Sequence, residues 1–153
     1  MKMITNDVIV RHNFITKVLF KDGDAQLSRD LKVKIMSMRI EYGKVQKAYA
    51  ADVQEFTNSI MTDRFNELQQ KPNRTKEETE ELQKLIAQFN DEIGEYSRKR
   101  AMDEIEVKDF SFNADEYAEI LEVNADNDVT INNVNISAPD FLESLYDLFV
   151  KED

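Results

Sequence analysis

DAQLSRDLKVKIMSMRIEYGKVQKAYAADVQEFTNSIMTDRFNELQQ, residues Asp24–Gln70, is the stretch that decides the fold. It holds no proline and one glycine, Gly43. Apolar side chains recur at Leu31, Ile35, Met38, Tyr42, Val45, Tyr49, Val53, Phe56 and Ile60, three or four apart, which is the spacing of one face of an α-helix. The pattern predicts a single helix about 70 Å long at 1.5 Å per residue, more than a compact domain of this chain's size can surround. Such a helix must project or lie against a partner.

Downstream, Lys71-Pro72-Asn73-Arg74 breaks the helix, because proline supplies neither the N–H nor the φ needed to continue. Thr75 with Glu78 three residues on reads as a capping box for a third helix running to about Glu104. Its stripe is Leu82, Leu85, Ile86, Phe89, Ile93 and Tyr96. Two helices joined so tightly fold back as an antiparallel hairpin, which sets Gly94 opposite Ala50-Ala51; there it either lets the backbones approach closely or, like Gly43, is a tolerated weak point that costs about 1 kcal/mol relative to alanine. Upstream, residues 1–5 read as extended and a helix begins near Asp7, although Val8-Ile9-Val10 also suits a short strand. Lys21-Asp22-Gly23-Asp24 is a turn in which Gly23 takes positive φ to end the first helix and Asp24 caps the next.

Beyond residue 104 the period changes. Ile105-Glu106-Val107 alternates like a strand and Phe110-Ser111-Phe112 resumes in the opposite parity, which predicts a bulge at Lys108-Asp109. Asn113 caps a short helix from Ala114 to about Val123, and Asn124–Asp128 is a polar loop. Asn132-Asn133 between Val129-Thr130-Ile131 and Val134-Asn135-Ile136 signals a two-residue hairpin. A final helix starts with Pro139 at its first position and offers Phe141, Leu142, Leu145, Leu148 and Phe149. The expected fold is mainly α with a small β element (α+β). It is one domain over 1–153, in which a long helical hairpin over 24–104 projects from a compact head made by the N-terminal segment 1–23 and the acidic tail 105–153.

Composition sets further bounds. The chain has 153 residues, 41% hydrophobic and 33% charged, which suits a folded domain. Cysteine is absent, so disulfides and thiolate metal ligands are excluded. No run approaches the length of a membrane span, and MKMITNDVIV lacks the apolar continuity of a secretory signal, so the expectation is a protein that is not secreted by a signal peptide and does not bind membranes. The net charge of −11 is unevenly spread: residues 1–50 hold ten Lys or Arg against five Asp or Glu, and residues 101–153 hold two against fifteen. A basic front and an acidic back attract each other within one molecule or head to tail between copies.

Catalytic chemistry has little to draw on. His12 is the sole histidine, no nucleophile turn or phosphate loop is present, and the scattered carboxylates carry no information without a cleft. Asn124, Asp126, Asp128, Thr130 and Asn132 imitate half of a calcium loop, but Val129 stands where glycine is needed and Asn135 where a bidentate glutamate is needed. A basic cluster of Lys44, Lys47, Arg98, Lys99 and Arg100 could meet phosphates, yet the acidic final third opposes nucleic acid. Past Ile60 the apolar positions Met61, Phe65 and Leu68 shift around the helix, which leaves apolar surface near the tip. Val53, Phe56, Ile60, Phe65 and Leu68 are therefore the expected protein-binding residues, with no catalytic residue, metal or cofactor.

The order of features resembles small uncharacterised proteins of tailed bacteriophages. The likeness is carried by the Lys-Asp-Gly turn at 21–23, the Ser28-Arg29 pair opening a long charged helix, and a β-bearing tail closed by Phe141-Leu142-Glu143-Ser144-Leu145-Tyr146-Asp147-Leu148-Phe149. That resemblance implies a structural or assembly accessory protein, in the host cytoplasm or the virion, whose partners are itself, as a homo-oligomer, or other virion proteins. The competing expectation is an acidic decoy that binds a host protein by imitating nucleic-acid phosphates over Asp103–Asp153.

Overall fold

A computed structural model describes residues 1–21, 23–24 and 26–151. In chain order its elements are β1 (Lys2–Ile4), α1 (Thr5–Ile15), α2 (Arg29–Ile60), α3 (Asp63–Gln70), α4 (Lys76–Ala101), β2 (Glu104–Glu106), α5 (Ala114–Val123), β3 (Val129–Ile131), β4 (Val134–Ile136) and α6 (Ala138–Phe149). The fold is thus mainly helical with two small antiparallel sheets, β1–β2 and β3–β4. The chain divides into two compact units, one of residues 1–46 with 104–153 and one of residues 47–103.

The first unit is built on the α2 stripe. Leu31, Ile35, Met38 and Tyr42 are buried, and α1, α5 and α6 contribute Val8, Ile15, Ile120, Phe141, Leu145 and Phe149 to the same cluster. Burying each such side chain contributes roughly 1.5–3 kcal/mol. β1 pairs with β2 in the register Met3↔Ile105, and Phe112 bridges in parallel to Val150, so segments from both chain ends close over the helix. The Phe149 ring lies 5.7 Å from that of Phe112 and 6.3 Å from that of Tyr42. Asn113 and Glu116 form a capping box at the start of α5, and Glu116 also takes the Lys34 ammonium of α2 at 2.9 Å. Asn132 and Asn133 hold φ of 51° and 64°, as the tight β3–β4 turn requires.

Several boundaries depart from the sequence reading. α1 stops at Ile15 because Val18 turns into the core, so Gly23, although its φ is +119°, does not end a helix. Asp22 and Ala25 lie outside the described residues. α2 begins at Arg29 and not at Asp24. Leu27 is buried just before it, and Ser28 caps it by accepting the Leu31 N–H on Oγ (3.4 Å) and the Lys32 N–H on its carbonyl (3.0 Å). No bulge stands at Lys108-Asp109: Val107 is the last residue bonded beside β1, through its N–H to the Met1 carbonyl, and the chain then leaves the sheet for the Phe112 bridge. α6 starts one residue early, with Ser137 as cap and Pro139 in second place.

The 47–103 unit corrects the single long helix. α2 ends at Ile60 and α3 starts at Asp63, with Thr62 in extended conformation accepting the Phe65 N–H at 3.1 Å. The last turns of α2 are already loosened by hydroxyl bonds back to its own carbonyls, Thr57 to Val53 at 2.8 Å and Ser59 to Phe56 at 2.7 Å. α4 runs antiparallel to the end of α2: Tyr49 O–H donates to the Ser97 carbonyl, Asp52 holds Arg100 at 2.9 Å, and the rings of Phe56 and Tyr96 stack 4.3 Å apart. Gly94 is no close approach, since a Cβ there would meet nothing within 4 Å; at Gly43 it would stand 3.4 Å from His12 Nε2. Thr62→Ala is expected to cost about 1 kcal/mol and to raise amide exchange at the start of α3, read by hydrogen-exchange mass spectrometry.

The predicted capping box of Thr75 and Glu78 is complete, and Lys71 reaches Glu78 at 2.6 Å. These bonds, the Lys71 ammonium first and the Thr75 backbone N–H second, hold the Glu78 carboxyl down at about 2 from its ordinary 4.5. A lowered carboxyl stabilises the folded state fully above its unfolded value and loses that contribution as the pH falls through the folded one. The N-terminal turn of α4 is therefore expected to fray between about pH 4.5 and 2. An NMR titration checks this: Lys71→Ala should move the Glu78 midpoint upward.

Candidate functional site

Residues picked as an uncovered tip are largely spent inside the 47–103 unit. Leu68 is 0% and Phe65 8% exposed, packed with Leu82 and Phe89, and Ile60 and Met61 close the same cluster. Phe56 is stacked on Tyr96, and Val53 is half-buried. The shift of the apolar stripe past Ile60 is real, but the chain answers it by breaking at Thr62 and turning α3 so that its apolar side meets α4.

Two of the five basic residues are held by carboxylates. Arg100 is held by Asp52 at 2.9 Å and Asp103 at 3.4 Å, and Lys99 pairs with Glu95 at 3.1 Å. Lys44 and Lys47 are exposed one turn apart on α2, and Arg98 is exposed on α4. His12 is half-buried against Gly43. Of the side chains that imitate a calcium site, Asn124, Asp128 and Thr130 have structural work. Asn124 is buried and accepts the Leu19 N–H at 2.8 Å, Asp128 accepts the Ala138 N–H at 2.7 Å, and Thr130 bonds to Asn135 at 2.8 Å.

The surface that the sequence reading passed over lies on the basic half of α2, within the first unit. Val33 is 59%, Met36 44% and Ile40 57% exposed. At 100° per residue these three fall about opposite Leu31, Ile35, Met38 and Tyr42, so this part of α2 is apolar on two faces and only one is covered. With Phe20, Lys32 and Ser37 they line a shallow apolar groove. Phe20 is set there by Arg39, whose guanidinium donates to the Thr16 carbonyl and lies 5.7 Å over the Phe20 ring. Arg29, Lys32 and Lys44 border the row with positive charge, and about 22 Å of helix separates the first from the last.

A second apolar groove on the same unit has the opposite border. It lies between α5 and α6, lined by Tyr117, Leu121, Ala125, Pro139, Leu142 and Glu143, with Leu121 42% exposed. Glu143 lines it and Asp147 stands near Tyr117, and both are exposed. The Tyr117 phenol, whose O–H donates to the Leu142 carbonyl, is pushed above its ordinary value by burial first, then by Tyr146, Asp147 and Glu143.

No described helix is long and apolar enough to cross a membrane. Compared with family models, with curated proteins and with solved structures, the chain matches none.

Proposed function

We propose that this chain is a non-enzymatic structural or assembly accessory protein of phage type, which acts by protein–protein contact through its long helix. The observation that carries the reading is the Val33, Met36 and Ile40 row, three large apolar side chains held in water on a rigid helix. Scattered exposed apolar residues are ordinary, but a contiguous row with a charged border is the composition of a contact surface. The phage context rests on the resemblance of the Lys21–Gly23 turn, the Ser28-Arg29 helix start and the closing α6 segment. This reading puts the contact surface on the first half of α2 and not at the tip, because Phe65 and Leu68 are buried with Leu82 and Phe89.

A photo-cross-linking amino acid at position 40, introduced in cells where particles assemble, tests the reading. Adducts with particle or assembly proteins, or with a second copy of the chain, are expected. Adducts confined to a host nucleic-acid enzyme would favour the decoy reading instead, and no adduct at all would contradict contact through α2.

A further inference from the structure

We infer that the basic-bordered row on α2 of one copy seats in the acid-bordered groove between α5 and α6 of the next, giving head-to-tail association. This rests on the protein-contact reading above and names its partner. Both surfaces are apolar at the centre, and both are exposed on the same unit, so neither covers the other within one copy. Their borders differ in sign: Arg29 and Lys44 are exposed on the row's side of α2, against Glu143, which lines the groove, and Asp147, which stands near Tyr117.

Charge decides among the pairings. Row against row would bring lysines and arginines together, and groove against groove would gather carboxylates; like charges facing each other across an interface cost several kcal/mol. Only the mixed pairing places opposite charges around both apolar centres. Because it joins two different surfaces, it leaves a free row at one end and a free groove at the other, and it propagates into rings or filaments. Such a small apolar centre makes each contact weak, and its exposed charge border makes it sensitive to salt.

Sedimentation velocity on the full chain tests this with two surface variants, Ile40→Glu in the row and Leu121→Lys in the groove, each first checked for native circular dichroism. The unaltered chain should gain mass with concentration at low salt and lose it at half-molar salt. Each variant alone should remain monomeric, with association weakened by about a hundredfold, since a like charge now faces the border opposite. Mixed in equal amounts they should associate again, because each supplies the unaltered surface that the other lacks. Lys44→Glu, which alters an exposed charge and no apolar contact, should weaken association of the unaltered row by several-fold. A monomeric mixture, or association of Leu121→Lys alone, would overturn the head-to-tail assignment. If the unaltered chain stays monomeric while position 40 still cross-links to a particle protein, this inference fails and the wider contact reading stands.

Discussion

Leu68→Ala is expected to destabilise the 47–103 unit by about 2–5 kcal/mol, the range for deleting a buried leucine side chain. Leu68 is fully buried among Phe65, Leu82 and Phe89, and a unit this small has little stability in reserve. Hydrogen-exchange mass spectrometry should show amides of α3 and α4 losing protection while those of α5 and α6 keep theirs. The same substitution in an exposed contact residue would change stability by less than about 0.5 kcal/mol. Intact protection in α3 and α4 would therefore return Leu68 to the surface and reopen the tip as a binding site.

Phe141→Ala should do comparable damage to the other unit, about 3–5 kcal/mol. Phe141 is fully buried on α6 and its ring stacks on Phe14 of α1 at 6.1 Å and 12°, so one side chain ties the last helix to the first. Removing it leaves a cavity that rigid neighbours cannot fill. Denaturant unfolding followed by near-ultraviolet circular dichroism reads the loss, and Phe141→Leu, which keeps most of the volume, should recover more than half of it. If the alanine variant unfolds at the same denaturant concentration as the unaltered chain, α6 is not part of that core.

Local chemistry was easy to read in this chain. Thr75 with Glu78, Asn113 before α5 and the Asn132-Asn133 turn each satisfy their backbone groups within a few residues, so their signals need no knowledge of the rest. The core stripe of α2 from Leu31 to Tyr42 was equally legible, because a single dominant period marks it. Thr62 and Ser28 were not. A threonine or serine inside an otherwise helical pattern can cap a new helix or merely continue the old one, and only the packing of Phe65 and Leu68 on α4 selects the break. The exposed row was missed for a related reason: Val33, Met36 and Ile40 have the same three-and-four spacing as the core stripe. Which of two apolar faces is covered depends on where α1, α5 and α6 pack, a long-range outcome that periodicity alone does not contain.

Methionine methyl NMR compares the competing surfaces in one spectrum. Met36 lies in the exposed row, Met38 in the core of the same helix, and Met61 beside the α3–α4 cluster at the former tip. With methyl-labelled protein, raising the concentration at low salt should broaden and shift the Met36 signal while Met38 and Met61 stay in place. A shift at Met61 with Met36 unchanged would contradict a contact surface on the first half of α2.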